Sequence, residues 1–236
     1  MNKKAILFDL DNTLYEYEPI HQEALKKTYD VLKKEIKISF NEFLKLFKLS
    51  KSEIQRELAG TASSHNRVLY FQRLIEKTHN TIDPDIVLKL YDSYWNTFLK
   101  SIKLRDGVLH TLRKLKEMKI KTAIVSDLTT NIQLKKMSKL GIKDYIDVLV
   151  TSEEAGNEKP NPVMFLLALN KLNVLPSDAI MVGDNPINDI EGGNAVGLDT
   201  VLLYTERSLK HSFSEDYQKP NHRINDIKDL LKILES

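Results

Sequence analysis

Parallel neighbouring strands need a crossover of only a dozen or so residues. Here the first strand-like run, Ala5–Phe8, is separated from the helix beginning near Gly107 by roughly 90 residues with no second such run. After that gap the rhythm is regular. Apolar runs at Thr122–Val125, Val148–Val150, Ala179–Val182 and Thr200–Leu203 alternate with segments of helical spacing. Val108, Leu109, Leu112, Leu115 and Met118 share one helix face; Phe165, Leu166, Leu169 and Leu172 share another. Ile187, Ile190 and Ala195-Val196 form a third. Such alternation predicts an α/β fold, a doubly wound Rossmann-like parallel sheet joined by right-handed crossovers.

The long gap reads as helix throughout. Pro19 suits a first helical position, with Ala24, Leu25, Val31 and Leu32 behind it. Ser39-Phe40-Asn41-Glu42 fits a capping box, and Asp83-Pro84 opens a helix whose Val87, Leu90, Tyr91, Tyr94, Trp95 and Phe98 form an apolar stripe. That stripe is first the core of a helical bundle, and second a surface for a dimer. The expected division is a catalytic core of residues 1–15 and 104–236, with an inserted helical cap domain of residues 16–103 above the carboxyl ends of the sheet. Glu206–His222 reads as a polar surface excursion before a last helix, Ile227–Leu234.

Open α/β sheets bind ligands at the carboxyl ends of their strands. The first run ends in Asp9-Leu10-Asp11-Asn12-Thr13-Leu14. Two carboxylates that close repel by about 4 kcal/mol at an effective dielectric near 20, so a cation is expected between them. Alone, the segment is equally compatible with a strand followed by an Asx-type turn. The other strand ends decide between these readings. The second ends in Ser126-Asp127, and the third runs into a loop holding Lys159-Pro160. The fourth ends in Gly183-Asp184, with Asp189 five residues on. Carboxylates, a hydroxyl and an ammonium at four successive strand ends describe a site.

These motifs, Phe8 to Leu14, Ser126, Lys159-Pro160 and Gly183-Asp184 with Asp189, resemble in order those of the haloacid dehalogenase-like (HAD) hydrolase superfamily. The subgroup is that of phosphatases with a helical cap inserted after the first motif. The likeness runs over essentially the whole chain and is dense from Thr151 through Val201. It implies a Mg²⁺-dependent phosphatase of a small phosphorylated metabolite, working through an aspartyl-phosphate. Asp9 is then the nucleophile and a metal ligand. Asp11 carries protons, and the family's backbone carbonyl at its position also ligates metal. Asp184 completes the side-chain ligands, and Asp189 orients ligands or metal-bound water. A helix N-terminal carboxylate is the plainer reading of Asp189. To donate a proton Asp11 must be protonated as substrate binds, which a crowded acidic neighbourhood favours. Ser126, Asp127 and Lys159 are expected around the transferring phosphoryl group.

Two departures from the family pattern stand out. Asp127-Leu128 follows Ser126 where many relatives have Asn-Gly, bringing a further negative charge near the phosphate; its side chain is expected to turn away and leave the backbone N–H. Arg105-Asp106-Gly107 replaces a common Pro-Gly hinge. Within the insertion, Gly60 to Arg67 is the most loop-like stretch. His65 and Arg67 are candidate contacts to an anionic substrate, against a surface turn capped by Ser64.

Alternatives within the superfamily are a phosphomutase, which keeps all four motifs, and a 2-haloacid dehalogenase, which lacks the second aspartate of the first motif. A non-catalytic phospho-aspartate signalling domain is the rival from another class. Its phosphorylated residue lies on a later strand, and it has no insertion of this size. Lys+Arg 35 against Asp+Glu 33 leaves a net charge of +2 and no footprint for nucleic acid. The absence of cysteine excludes disulfides, thiolate catalysis and cysteine-bound zinc. The apolar run after Lys3-Lys4 is too short for an export signal, and no segment approaches a membrane span. A cytoplasmic monomer or homodimer with no membrane partner is expected.

Overall fold

The computed structural model describes residues 3–205, 208 and 216–235. The chain divides into two units, Met1–Glu16 with Lys103–Ser236, and Tyr17–Ile102.

The first unit is built on a six-stranded parallel sheet of order β3-β2-β1-β4-β5-β6. Its strands are β1 Ala5–Phe8, β2 Lys121–Ser126, β3 Val148–Thr151, β4 Ala179–Gly183, β5 Asp199–Leu203 and β6 His222–Ile224. β1 pairs with both β2 and β4, which places it at the centre. All four of its side chains are fully buried, as expected for a parallel strand covered on both faces. Ala5 and Leu7 pack with Ala123, Val125, Val150 and Met181 against Met164, Phe165, Ala168 and Leu169. The last four lie on the helix Pro162–Leu172, whose start is fixed by Asn161 accepting from the Val163 N–H and by Pro162 in its first turn.

The second unit is helical: α1 Tyr17–Glu35, α2 Phe40–Glu57, α3 Arg67–His79 and α4 Pro84–Ser101, with a 3₁₀ turn at Ala62–His65. The Ser39–Glu42 capping box is formed reciprocally at α2, and Asp83 caps α4 ahead of Pro84. Leu90, Tyr94 and Phe98 are fully buried and Trp95 nearly so. The aromatic stripe is thus bundle core.

Several expectations are corrected. Pro19 is the third residue of α1 rather than its first, because the helix begins at Tyr17. Leu166 and Ile187 are exposed. Met118 is exposed too, beyond the end of the helix Val108–Glu117. α3 is capped by Asn66, which accepts from the Val68 N–H, while Ser64 is buried in the 3₁₀ turn. A sixth strand, β6, begins at His222, the last residue of the expected excursion, and is not anticipated by the sequence between it and the final helix. Residues 206, 207 and 209–215 of that excursion lie outside the described ones. Among the described residues no helix is long and apolar enough to cross a membrane.

Candidate active site

The ends of β1 and β4, with Lys159 from the loop after β3, form one acidic centre in the sheet unit. The β1 ladder continues into Asp9, whose N–H donates to the Val182 carbonyl at 2.9 Å. The chain then turns sharply, with Asn12 in the left-handed region at φ 67°, which asparagine tolerates better than most residues. The turn brings the Thr13 hydroxyl back to donate to Asp9 Oδ2 at 2.9 Å. The turn and the acidic site are therefore the same segment.

Among the described residues no single side-chain cation sits between Asp9 and Asp11: Lys159 meets Asp9 and Asp189, while Asp11 meets Lys136. Lys159 is almost wholly buried, and its ammonium lies 2.7 Å from Asp9 Oδ1 and 2.7 Å from Asp189 Oδ1. Burial disfavours its charge, but Asp189, Asp9 and Asp127 outweigh that and hold its pKa well above the ordinary lysine range. Burial pushes Asp9 up to about 6; Lys159 opposes the rise, while Asp189 and Asp11 add to it.

Asp184, at the end of β4, accepts from the Thr205 hydroxyl at 3.3 Å. Asp189 is buried and accepts the Asn185 N–H on Oδ2 at 3.0 Å. Asn185 itself caps the π-helical turn Pro186–Glu191, accepting from Ile187 and Asn188. Asp189 is thus a member of the buried centre, tied to Lys159, and not merely a charge complementing a helix end. Oxygens of Asp9, Asp184 and Asp189 lie within 4.8 Å of one another. Three buried carboxylates against one ammonium leave an excess of negative charge on hard oxygen donors. That donor set fits a divalent cation such as Mg²⁺.

Ser126 is buried at the end of β2 and accepts from Gln133 Nε2 at 2.6 Å. The same nitrogen donates to the Asp127 carbonyl at 2.9 Å. The Asp127 side chain is turned onto the neighbouring loops. Its Oδ1 accepts the Lys159 N–H at 2.9 Å and its Oδ2 accepts from Asn188 at 3.4 Å. Burial raises its pKa despite Lys159. Leu128 holds φ 115°, a region that favours glycine, and its N–H donates to Ser152 Oγ at 2.9 Å.

Asp11 does not join the three buried carboxylates. Its side chain, 28% exposed, is held on both oxygens by Lys136 Nζ at 2.7 Å, and the Tyr15 hydroxyl donates to Oδ1. So the neighbourhood of Asp11 is not simply acidic; a second buried lysine faces it. Lys136, Gln133, Thr13 and Tyr15 are given no role by the sequence motifs alone. A signal for Lys136 existed: it lies four residues from both Ile132 and Leu140, which are buried on the same helix face.

His65 and Arg67 belong to the helical unit. His65 Nδ1 lies 3.2 Å from Gln55 Nε2. Arg67 is buried, donates to the His65 carbonyl and the Tyr17 hydroxyl, and has the rings of Tyr70, Tyr94 and Trp95 5.5–5.8 Å away.

The chain is 40% identical over 238 residues to a ribulose-1,5-bisphosphate 5-phosphatase of Halopiger xanaduensis, covering 98% of each. It is 30% identical to a glyceraldehyde 3-phosphate phosphatase of Methanopyrus kandleri, over 98% of this chain and 97% of that protein. The crystal structure of a HAD phosphatase from Thermococcus onnurineus superposes with a TM-score of 0.77 at 27% identity, covering 98% of this chain and 97% of the other. The family model for haloacid dehalogenase-like hydrolases matches residues 6–203, strand ends and insertion included. The chain belongs to the haloacid dehalogenase-like hydrolase family.

Proposed function

We propose that this protein is a Mg²⁺-dependent phosphatase that hydrolyses the phosphate monoester of a small phosphorylated sugar through a phosphoryl group carried on Asp9. The observation that carries the reading is the contact of Asp9 with Lys159 inside a buried carboxylate cluster. Two phosphatases of phosphorylated sugars or their C₃ fragments among the relatives support the substrate class.

An oxygen of Asp9 attacks phosphorus and the ester P–O bond breaks, with the departing oxygen taking a proton from Asp11. Water then attacks the aspartyl-phosphate, the Asp9–phosphorus linkage breaks, and Asp11 takes the water's proton. The products are an alcohol and inorganic phosphate, and both aspartates are restored. Lys159 and Ser126 hold the equatorial oxygens of the transferring group, Lys159 supplying positive charge where the loose transition state spreads negative charge. Asp9 and Asp184, with the Asp11 backbone carbonyl, would hold Mg²⁺, and Asp189 would orient them. The ion, when bound, neutralises phosphate charge that otherwise repels Asp9.

The test is phosphate release from ribulose 1,5-bisphosphate, glyceraldehyde 3-phosphate, phosphoglycolate and a generic aryl phosphate, each with and without Mg²⁺. Mg²⁺-dependent release from at least one sugar-derived ester is expected. Failure on every ester overturns the reading. A single phosphate released per chain, without turnover, points to a phospho-aspartate signalling domain instead.

A further inference from the structure

We propose that Lys136 is a positioning residue for Asp11, fixing the direction of the carboxylate that exchanges protons at the reacting oxygens. The inference rests on the phosphatase reading above. Lys136 lies on the helix Thr130–Leu140, wholly buried, while Asp11 stands at the partly open side of the contact. One ammonium touches both carboxylate oxygens at 2.7 Å, and the Tyr15 hydroxyl holds Oδ1 as well. Gripped on both oxygens, the carboxylate cannot rotate about its Cβ–Cγ bond without giving up a contact. Tyr15 is itself placed by the ammonium, which lies 5.8 Å from its ring centroid.

Stability alone does not account for this lysine. Replacing buried ion pairs by apolar groups of similar volume is often neutral or stabilising, and the same helix face is otherwise lined by Ile132 and Leu140. One turn earlier the face carries Gln133, which grips Ser126 as Lys136 grips Asp11. The helix therefore presents two buried polar side chains, each anchoring a different strand-end group of the site.

The decisive measurement is kcat/KM for an alkyl and an aryl phosphate in the presence of Mg²⁺. An aryl leaving oxygen needs little help with a proton, whereas an alkyl one needs a well-aimed donor. In Lys136→Met, the alkyl ester is expected to lose about 10²-fold and the aryl ester less than about tenfold. In an Asp11→Asn background the same substitution should add nothing, because the two residues act as a unit. The comparison of Asp11→Asn with Asp11→Asn/Lys136→Met, in which both charges are gone, decides the question even where Lys136→Met alone does not fold. An equal loss on both esters, no loss, or a further loss in the Asp11→Asn background overturns the inference. Phosphate release by the unsubstituted enzyme tests the phosphatase reading by itself, so the two fail separately.

Discussion

The Lys159 ammonium lies 2.7 Å from Asp9 Oδ1 in a setting that excludes nearly all water from both groups. A charge removed from such a pair leaves its partner buried and uncompensated, which costs about 3–5 kcal/mol. The cost is compounded here because the same ammonium also meets Asp189. Lys159→Met is therefore expected to lower the melting temperature strongly and activity by about 10²–10³-fold. Mg²⁺ should narrow the stability deficit by supplying positive charge to the same carboxylates. Melting curves with and without Mg²⁺ check this; a variant as stable as the parent in metal-free buffer contradicts it.

Asp9→Asn is the complementary change. It keeps the size of the side chain, and its amide can still accept from Thr13. Lys159 keeps Asp189 as a partner at 2.7 Å, and one charge fewer repels the neighbouring carboxylates, so the fold should persist. Turnover should vanish because an amide is not a nucleophile at phosphorus. Circular dichroism with a phosphate-release assay separates these effects. Retained activity in a folded Asp9→Asn protein sinks the nucleophile assignment.

Gly183 shows how tightly β4 is fitted to the site. A Cβ there would lie 2.1 Å from Asp189 Oδ2 and 2.6 Å from Asp189 Cβ. Neither the buried strand nor the anchored carboxylate has room to yield. Gly183→Ala is expected to destabilise the protein by about 1–3 kcal/mol through overpacking. It should also cost activity by displacing Asp189 from Lys159 and the Asn185 N–H. Unchanged kinetics in this variant would mean that Asp189 can shift without consequence.

The parts of this architecture that are legible in the sequence share a physical cause. Strands buried on both faces leave uninterrupted apolar runs, so β1 to β5 can be placed to within a residue or two. β6, His222-Arg223-Ile224, is three residues long with one buried side chain, and leaves no run to see. Strand-end carboxylates are legible because the ends of parallel strands are where such sheets place ligands. Lys136 is not, since Lys135-Lys136 reads as a solvated helix face. Only helix phase, which buries Lys136 and exposes Lys135, separates the two. The aim of Asp11 toward Lys136 depends on a side chain 125 residues away, which no local pattern encodes.

His21 offers a test confined to the helical unit. Its Nδ1 lies 2.6 Å from the Tyr94 hydroxyl, and its ring stacks on Tyr17 at 5.2 Å. Burial, with Arg67 and Lys51 adding to it, drives its pKa from 6.5 down to about 3. Above pH 6.5 His21 is neutral whether folded or unfolded, and its favourable setting is fully retained. Below pH 6.5 the unfolded chain binds a proton that the folded one refuses, down to about pH 3. Stability therefore falls on acidification by up to about 1.4 kcal/mol per pH unit over that window from this group alone. His21→Gln does not titrate and can still meet the Tyr94 hydroxyl. It should start somewhat less stable at pH 7.5 and lose less melting temperature between pH 7.5 and pH 5 than the parent protein. Parallel losses in the two proteins would show that His21 is protonated in the folded state, against the burial and neighbouring charge that surround it.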